Sequence, residues 1–387
     1  MAEREIYEQA GITNPGNQCY FNSTLQALAS CPSIYKILLS RRVVDNSILQ
    51  VIKEQNLLDI KLEELQTRCA NLLASDSIDS SSKEIIHHIN KSPTDVYIYL
   101  DWRNIILGLI KNHSGTLHIQ NLVNILRYKV NVHAFKDLFS GAQCDPHEAI
   151  VFLLDVVHRY CSRIIPNISS ELAIPGLPIE IQEMYKKQFI REYGNGYSEF
   201  VEHFHNSYLS TIQCQTCQYS VYNISPMSVI DIPLPIAPSA QLEDCIGRFF
   251  HAEPVDKYKC EKCGSIDTSI MGKQLLVSAK TLILELKRFI HLPNGMLAKN
   301  NIGIMFPEVI DMTPFLVDKR YNVRYRLNAV IVHASTHMGF GHYYCMSRKL
   351  GCDKWFICDD ARTAHISIEI ALSQSGAYLL FYTLEEQ

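Results

Sequence analysis

An α+β fold is predicted by three features of the chain. From Tyr20 to Tyr160 apolar residues recur at spacings of three and four, and from Phe200 onward they gather in short β-branched and aromatic runs. Two cysteine pairs of the form CxxC lie early in the second region. In the first region, "NSILQVIKEQNLLDIKLEELQTRCANLLA" places Leu57, Leu58, Leu62, Leu65, Leu72 and Leu73 on one helical stripe. The polar "SDSIDSSSK" that follows is rich in turn formers and is expected to be an exposed loop. In the second region, "TLILELKRFI", "RLNAVIVH", "HYYCMSR", "KWFICDD" and "AYLLFYTL" are bounded by Gly, Pro, Asn and Asp, as sheet strands are. With 387 residues, 47% of them hydrophobic, the chain suffices for one large domain or two ordinary ones.

Composition removes several classes of function. A net charge of −4 gives no basic excess for a nucleic-acid partner. The start, "MAEREIYEQA", lacks the apolar stretch of a secretory signal, and no run approaches the ~18 apolar residues of a membrane span. A soluble intracellular chain, cytoplasmic or nuclear, is expected. Thirteen cysteines is an odd number, and Cys31, Cys69, Cys161 and Cys245 stand singly in apolar segments, which suits reduced buried thiols.

The clustered cysteines have another use. Cys214 and Cys217 in "TIQCQTCQYS" and Cys260 and Cys263 in "KYKCEKCGS" supply four thiolates, the ligand set of a closed structural Zn²⁺ site. Four sulfur ligands leave no open position to activate water, so the metal would support folding rather than chemistry. The long gap between the pairs requires tertiary structure to bring them together.

Cys19 stands in a different setting. In "GITNPGNQCYFNSTLQAL" the turn residues Asn14 to Asn17 precede Phe21, Leu25 and Leu28 at helical spacing, so the turn delivers Cys19 to a helix N-terminus. Backbone N–H groups there stabilise a thiolate, which predicts a lowered pKa, and they can hold an oxyanion with the Asn14 amide as second donor. The competing reading is a small apolar helix residue capped by Asn17, and this stretch alone leaves both open. A reactive thiolate needs a base with an orienting acid: "HMGFGHYYCMSR" puts His342 on a strand, and "KWFICDDAR" supplies Asp359 and Asp360. In "AQCDPHEAIVFLLDVVHRY", Asp145 and Pro146 are a helix start, with Ile150, Leu154 and Val157 as its buried stripe.

As a set these residues resemble the ubiquitin-specific proteases. Gly11 to Gln26 is similar to their cysteine box, and Gln143 to Asp155 to their second landmark. The similarity continues in order through both CxxC pairs, "LEDCIGRFF", "LILELKRF", "FPEVIDM", "RLNAVIVHASTHMGFGHYY" and "WFICDD". The resemblance implies a papain-like cysteine protease fold formed by one catalytic domain over 1–387. Its helical thumb would span 11–165 with a possible insertion at 43–131, its zinc-tied fingers 200–270 and its antiparallel palm 271–387. It further implies hydrolysis after the C-terminal glycine of ubiquitin, with Cys19 as nucleophile, His342 as general base, Asp359 as its partner and Asn14 as oxyanion donor. Asp360 is the less favoured orienter. Gln143, Asp145, Phe289 and Tyr343 match positions that line the channel for ubiquitin's tail. The chain departs from the family pattern at Gln18, Pro146, Ala149 and Cys358, none of which removes a catalytic group; the shortened Ala149 predicts local repacking. The alternatives are an inert ubiquitin-binding scaffold and a protease for a ubiquitin-like modifier.

Overall fold

The computed structural model describes residues 8–55, 57, 62–75, 77–111, 114–130, 137–163, 174, 176–291, 297–335 and 341–385. Helices come first. Cys19–Ala29, Pro32–Ser40, Arg42–Glu54, Leu62–Leu73, Ser80–Lys91, Pro93–Lys111, Gln120–Val130 and Pro146–Cys161 precede the first long strand, Asn206–Cys214. Of the expected leucine stripe, Leu62, Leu65, Leu72 and Leu73 share one helix, and Leu57 lies outside it. The preceding helix ends at Glu54 and this one begins at Leu62; Leu57 lies between them, its N–H bonded to the Ile52 carbonyl at 2.8 Å, while Leu58 lies outside the described residues. The expected loop in "SDSIDSSSK" is corrected in part. Asp79 accepts the Ser82 N–H at 2.9 Å and so caps the Ser80–Lys91 helix, which draws the serines into a first helical turn.

The Cys19–Ala29 helix is buried at every position. Its Tyr20, Leu25 and Leu28 share one hydrophobic core with Trp102 and Ile106 of Pro93–Lys111 and with Ile150, Leu154 and Val157 of Pro146–Cys161. Segment 43–131 is therefore part of the core around the cysteine box and not an appended lobe. A polar tie lies within the segment: fully buried Asp45 accepts hydrogen bonds from Tyr99 at 2.8 Å and Arg103 Nε at 2.9 Å. Removing either donor would leave a buried carboxylate poorly compensated.

Among the described residues the main sheet has eight strands. Seven lie in the order Arg362–Ile366, Trp355–Asp359, His342–Arg348, Arg324–Ala334, Ala377–Leu384, Thr281–Lys287 and Val229–Pro233, and Val309–Asp311 pairs with Arg324–Ala334 off this path. Only the Val229–Pro233 pairing is parallel. Successive residues alternate between faces. Ile283, Ile331 and Phe381 join the helical core, whereas Leu282, Leu284, Val330 and Tyr382 join a second core on the other side. A separate four-stranded sheet runs Ser220–Met227, Asn206–Cys214, Ser269–Val277 and Glu253–Pro254, backed by Tyr185 and Phe189 of the Ile179–Tyr193 helix. None of the described helices is long and apolar enough to cross a membrane.

Candidate active site

Cys19 is the first residue of its helix, as the sequence predicts, but Asn17 is not the cap. Gln18 holds the N-cap position without a side-chain bond, and Asn17 turns through φ +51° and donates Nδ2 to the Gly141 carbonyl at 2.9 Å. The turn is tied by Asn14, whose Oδ1 accepts the N–H of Gly16 at 2.9 Å and of Gln18 at 3.0 Å. Just before it, Gly11–Ile12 pairs in parallel with Thr116–Leu117. On its other side, the Ile12 N–H reaches the Asp360 carbonyl at 2.8 Å. Gly11 has no alternative there, since a Cβ would lie 2.5 Å from the Ala361 carbonyl oxygen.

The expected lowering of the Cys19 pKa is overturned. Burial pushes the thiol up and outweighs the N–H groups of Tyr343, Tyr20 and Cys19 itself, which pull it down; the Asp360 carboxylate adds to the rise. A helix end stabilises a thiolate only by as much as the lost hydration allows. The Tyr343 N–H at the sulfur belongs to the residue after His342, so the cysteine helix and the histidine strand meet across the groove. His342 Nε2 lies 2.5 Å from Asp359 Oδ1, which leaves Nδ1 as the nitrogen available to a thiol.

The neighbouring acid has its own task. Asp360, at φ +52° in the turn after Trp355–Asp359, accepts Asn14 Nδ2 at 2.9 Å and Asn22 Nδ2 at 2.7 Å. It thereby orients the Asn14 amide, a role that the sequence reading did not give it. Asn22 was legible in hindsight, being a polar residue one helical turn from Cys19 on a buried face.

The four residues expected to line a tail channel converge. Gln143 donates Nε2 to the Gly341 carbonyl, beside His342. Asp145 caps the Pro146–Cys161 helix by accepting the His147 N–H at 2.8 Å, and accepts the Tyr378 hydroxyl at 2.6 Å. Burial raises its carboxyl pKa against those two donors. The Phe289 ring lies 5.4 Å, and the Tyr343 ring 6.0 Å, from that of Tyr378. Tyr378 and His333, whose ring lies tilted 4.6 Å from that of Tyr343, were not singled out by the sequence reading. A tyrosine inside the apolar run "AYLLFYTL" was the available signal, because a buried hydroxyl requires a partner.

The four paired cysteines meet at the end of the Asn206–Cys214 strand. Cys214 and Cys263 sulfurs are 3.7 Å apart, as are those of Cys217 and Cys260, and all four lie within 4.8 Å of one another. The Ser265 hydroxyl and the Cys217 N–H pull the Cys214 thiol down to about 5. Cys217 goes the opposite way, to about 12: the Tyr219 N–H favours its thiolate, but burial and the sulfurs of Cys263, Cys260 and Cys214 oppose it more strongly. Such a set can be fully ionised only around a cation, and this donor chemistry fits a metal ion.

A family model described as "Ubiquitin carboxyl-terminal hydrolase" matches residues 10–382. The chain belongs to this family. Among its relatives, ubiquitin carboxyl-terminal hydrolase 5 of Saccharomyces cerevisiae is 24% identical over 400 residues, which cover 96% of this chain and 44% of the relative. The chain thus spans under half the length of this hydrolase. Similar solved folds include a yeast SAGA DUB module with a mutant Sgf73, with TM-score 0.64 and 20% identity over 100% of this chain and 70% of the other. Another is the SAGA Ubp8/Sgf11/Sus1/Sgf73 DUB module bound to ubiquitin aldehyde, with TM-score 0.62 and 21% identity over 100% and 72%. These likenesses show the fold that the chain shares with those modules.

Proposed function

We propose that the chain is a cysteine-type deubiquitinase that hydrolyses the isopeptide or peptide bond after the C-terminal glycine of ubiquitin. The observation that carries this reading is the meeting of Cys19 with the Tyr343 N–H while the adjacent His342 is held by Asp359. Family membership and a solved neighbour bound to ubiquitin aldehyde support ubiquitin as the partner. In this reading the helical part is a thumb, the main sheet a palm and the four-cysteine sheet the fingers.

The resting thiol is protonated, because burial outweighs its N–H donors. His342 Nδ1 takes that proton as sulfur attacks the glycine carbonyl, and Asp359 stabilises the imidazolium. The oxyanion forms between the N–H groups at the start of the Cys19–Ala29 helix and the Asn14 amide, which Asp360 aims. His342 then donates to the leaving lysine amine and deprotonates the water that opens the thioester. Gln143, Asp145, Phe289 and Tyr343 hold the extended tail, and a carboxylate among them suits a peptide with basic side chains. Cys214, Cys217, Cys260 and Cys263 would hold Zn²⁺, which when bound ties the finger tips together without entering the reaction.

A panel of electrophilic ubiquitin and ubiquitin-like probes tests this reading. Ubiquitin probe labels the wild type and fails on Cys19→Ser. Labelling that survives in Cys19→Ser places the nucleophile elsewhere, and labelling by a different modifier alone replaces the substrate.

A further inference from the structure

Behind the tail channel lies a chain of polar groups that crosses from the helical part to the sheet. Asp145 comes from a helix start, Tyr378 from the Ala377–Leu384 strand and Glu285 from the adjoining Thr281–Lys287 strand. The Tyr378 oxygen is 2.6 Å from Asp145 Oδ2 and 3.1 Å from Glu285 Oε1. A tyrosine hydroxyl has one proton, so it can donate to only one of these carboxylates.

The surroundings settle which one receives it. Glu285 is 4% exposed and has partners of its own: His147 Nδ1 lies 2.9 Å from Oε2, and the Lys287 ammonium Nζ lies 3.7 Å from Oε1. Lys287 also reaches Asp231 at 3.4 Å, so the outer acid of this group is met as well. Among the described residues no lysine or arginine contacts Asp145, which besides Tyr378 accepts the His147 N–H on its Oδ1. The Tyr378 ring is fully buried between Phe289 and Tyr343, which prevents its hydroxyl from swinging away.

We propose that Tyr378 is a positioning residue for substrate binding: its hydroxyl fixes the Asp145 carboxylate for the tail, while the Glu285–His147 pair behind it keeps that proton directed at Asp145. The inference rests on the reading of Asp145 as a residue that holds the tail. The two donors occupy one lone pair on each Asp145 oxygen and leave the others for N–H groups or a basic side chain of the bound peptide. In this arrangement a palm residue sets the thumb's half of the channel.

The test is a double-mutant cycle with a fluorogenic ubiquitin C-terminal substrate. Tyr378→Phe removes one oxygen, and its KM is expected to rise about tenfold, on the scale of one hydrogen bond to a charged group, with kcat unchanged. Asp145→Asn raises KM as well, and the double variant matches Asp145→Asn, because the hydroxyl acts only by fixing the carboxylate. On Cys19→Ala protein, Tyr378→Phe weakens ubiquitin binding but leaves binding of ubiquitin without its tail unchanged. An unchanged KM in Asp145→Asn overturns the tail reading and this inference with it. If Asp145→Asn raises KM, the inference alone falls when Tyr378→Phe has no effect, when the two effects multiply, or when tail-less ubiquitin also binds less well.

Discussion

Cys19 and the four finger cysteines are the same residue in opposite circumstances. Cys19 is 3% exposed at the bottom of a groove, where burial raises its pKa and keeps it a thiol. Cys214 sits among hydroxyl and N–H donors that hold it near 5, beside sulfurs that cannot all ionise alone. The difference teaches that, in the proposed reaction, Cys19 would not be stored as a standing thiolate. In the proposed reaction the groove would need a base at the moment of attack, whereas the four paired cysteines could all ionise together only around a cation.

The largest test of that contrast acts on the base. Asp359→Asn leaves a hydrogen bond to His342 but favours the wrong tautomer, and kcat is expected to fall about 10⁴-fold while metal content is unchanged. A loss below tenfold would mean that Cys19 does not depend on an oriented base. Next in size, Cys260→Ser is expected to lower zinc stoichiometry, read by elemental analysis, and to cost on the order of 3 kcal/mol in unfolding free energy. Unchanged metal content would dissolve the contrast from the other side.

A smaller effect comes from the buried thiols. Burial pushes Cys31, Cys161 and Cys358 each to about 12, above the roughly 8.5 of an unfolded cysteine. A raised folded pKa gives stability that is complete below the unfolded value and is lost as pH climbs toward the folded one. Denaturant midpoints should therefore decline steadily between about pH 9 and pH 12, and Cys31→Ala should flatten that slope. An unaltered slope in Cys31→Ala would show that its thiol ionises without unfolding.

Local grammar made some of this legible. "DPHE" reads as a capped helix start and Asp145 is that cap, and two CxxC pairs announce a sulfur cluster wherever the fold joins them. Other features depend on distant partners and carry no local signal. Asn17 reads as a cap but is drawn to Gly141, and the Cys19 pKa follows from burial and from Asp360, neither of which is visible in the turn that precedes it. The division of labour between Asp359 and Asp360 needed the His342 strand on one side and Asn14 on the other. Segment 43–131, expected as a possible insertion, supplies the Thr116–Leu117 strand that pairs with the start of the cysteine box.

That last contact has a consequence in time. Gly11–Ile12 is gripped on one side by Thr116–Leu117 and on the other by the Asp360 turn, and Asn14 waits for a carboxylate 346 residues downstream. Contacts so remote in sequence close late. The Asn14 amide is therefore aimed only after the Asp360 segment has been made, which puts the proposed oxyanion site among the last parts of the groove to form.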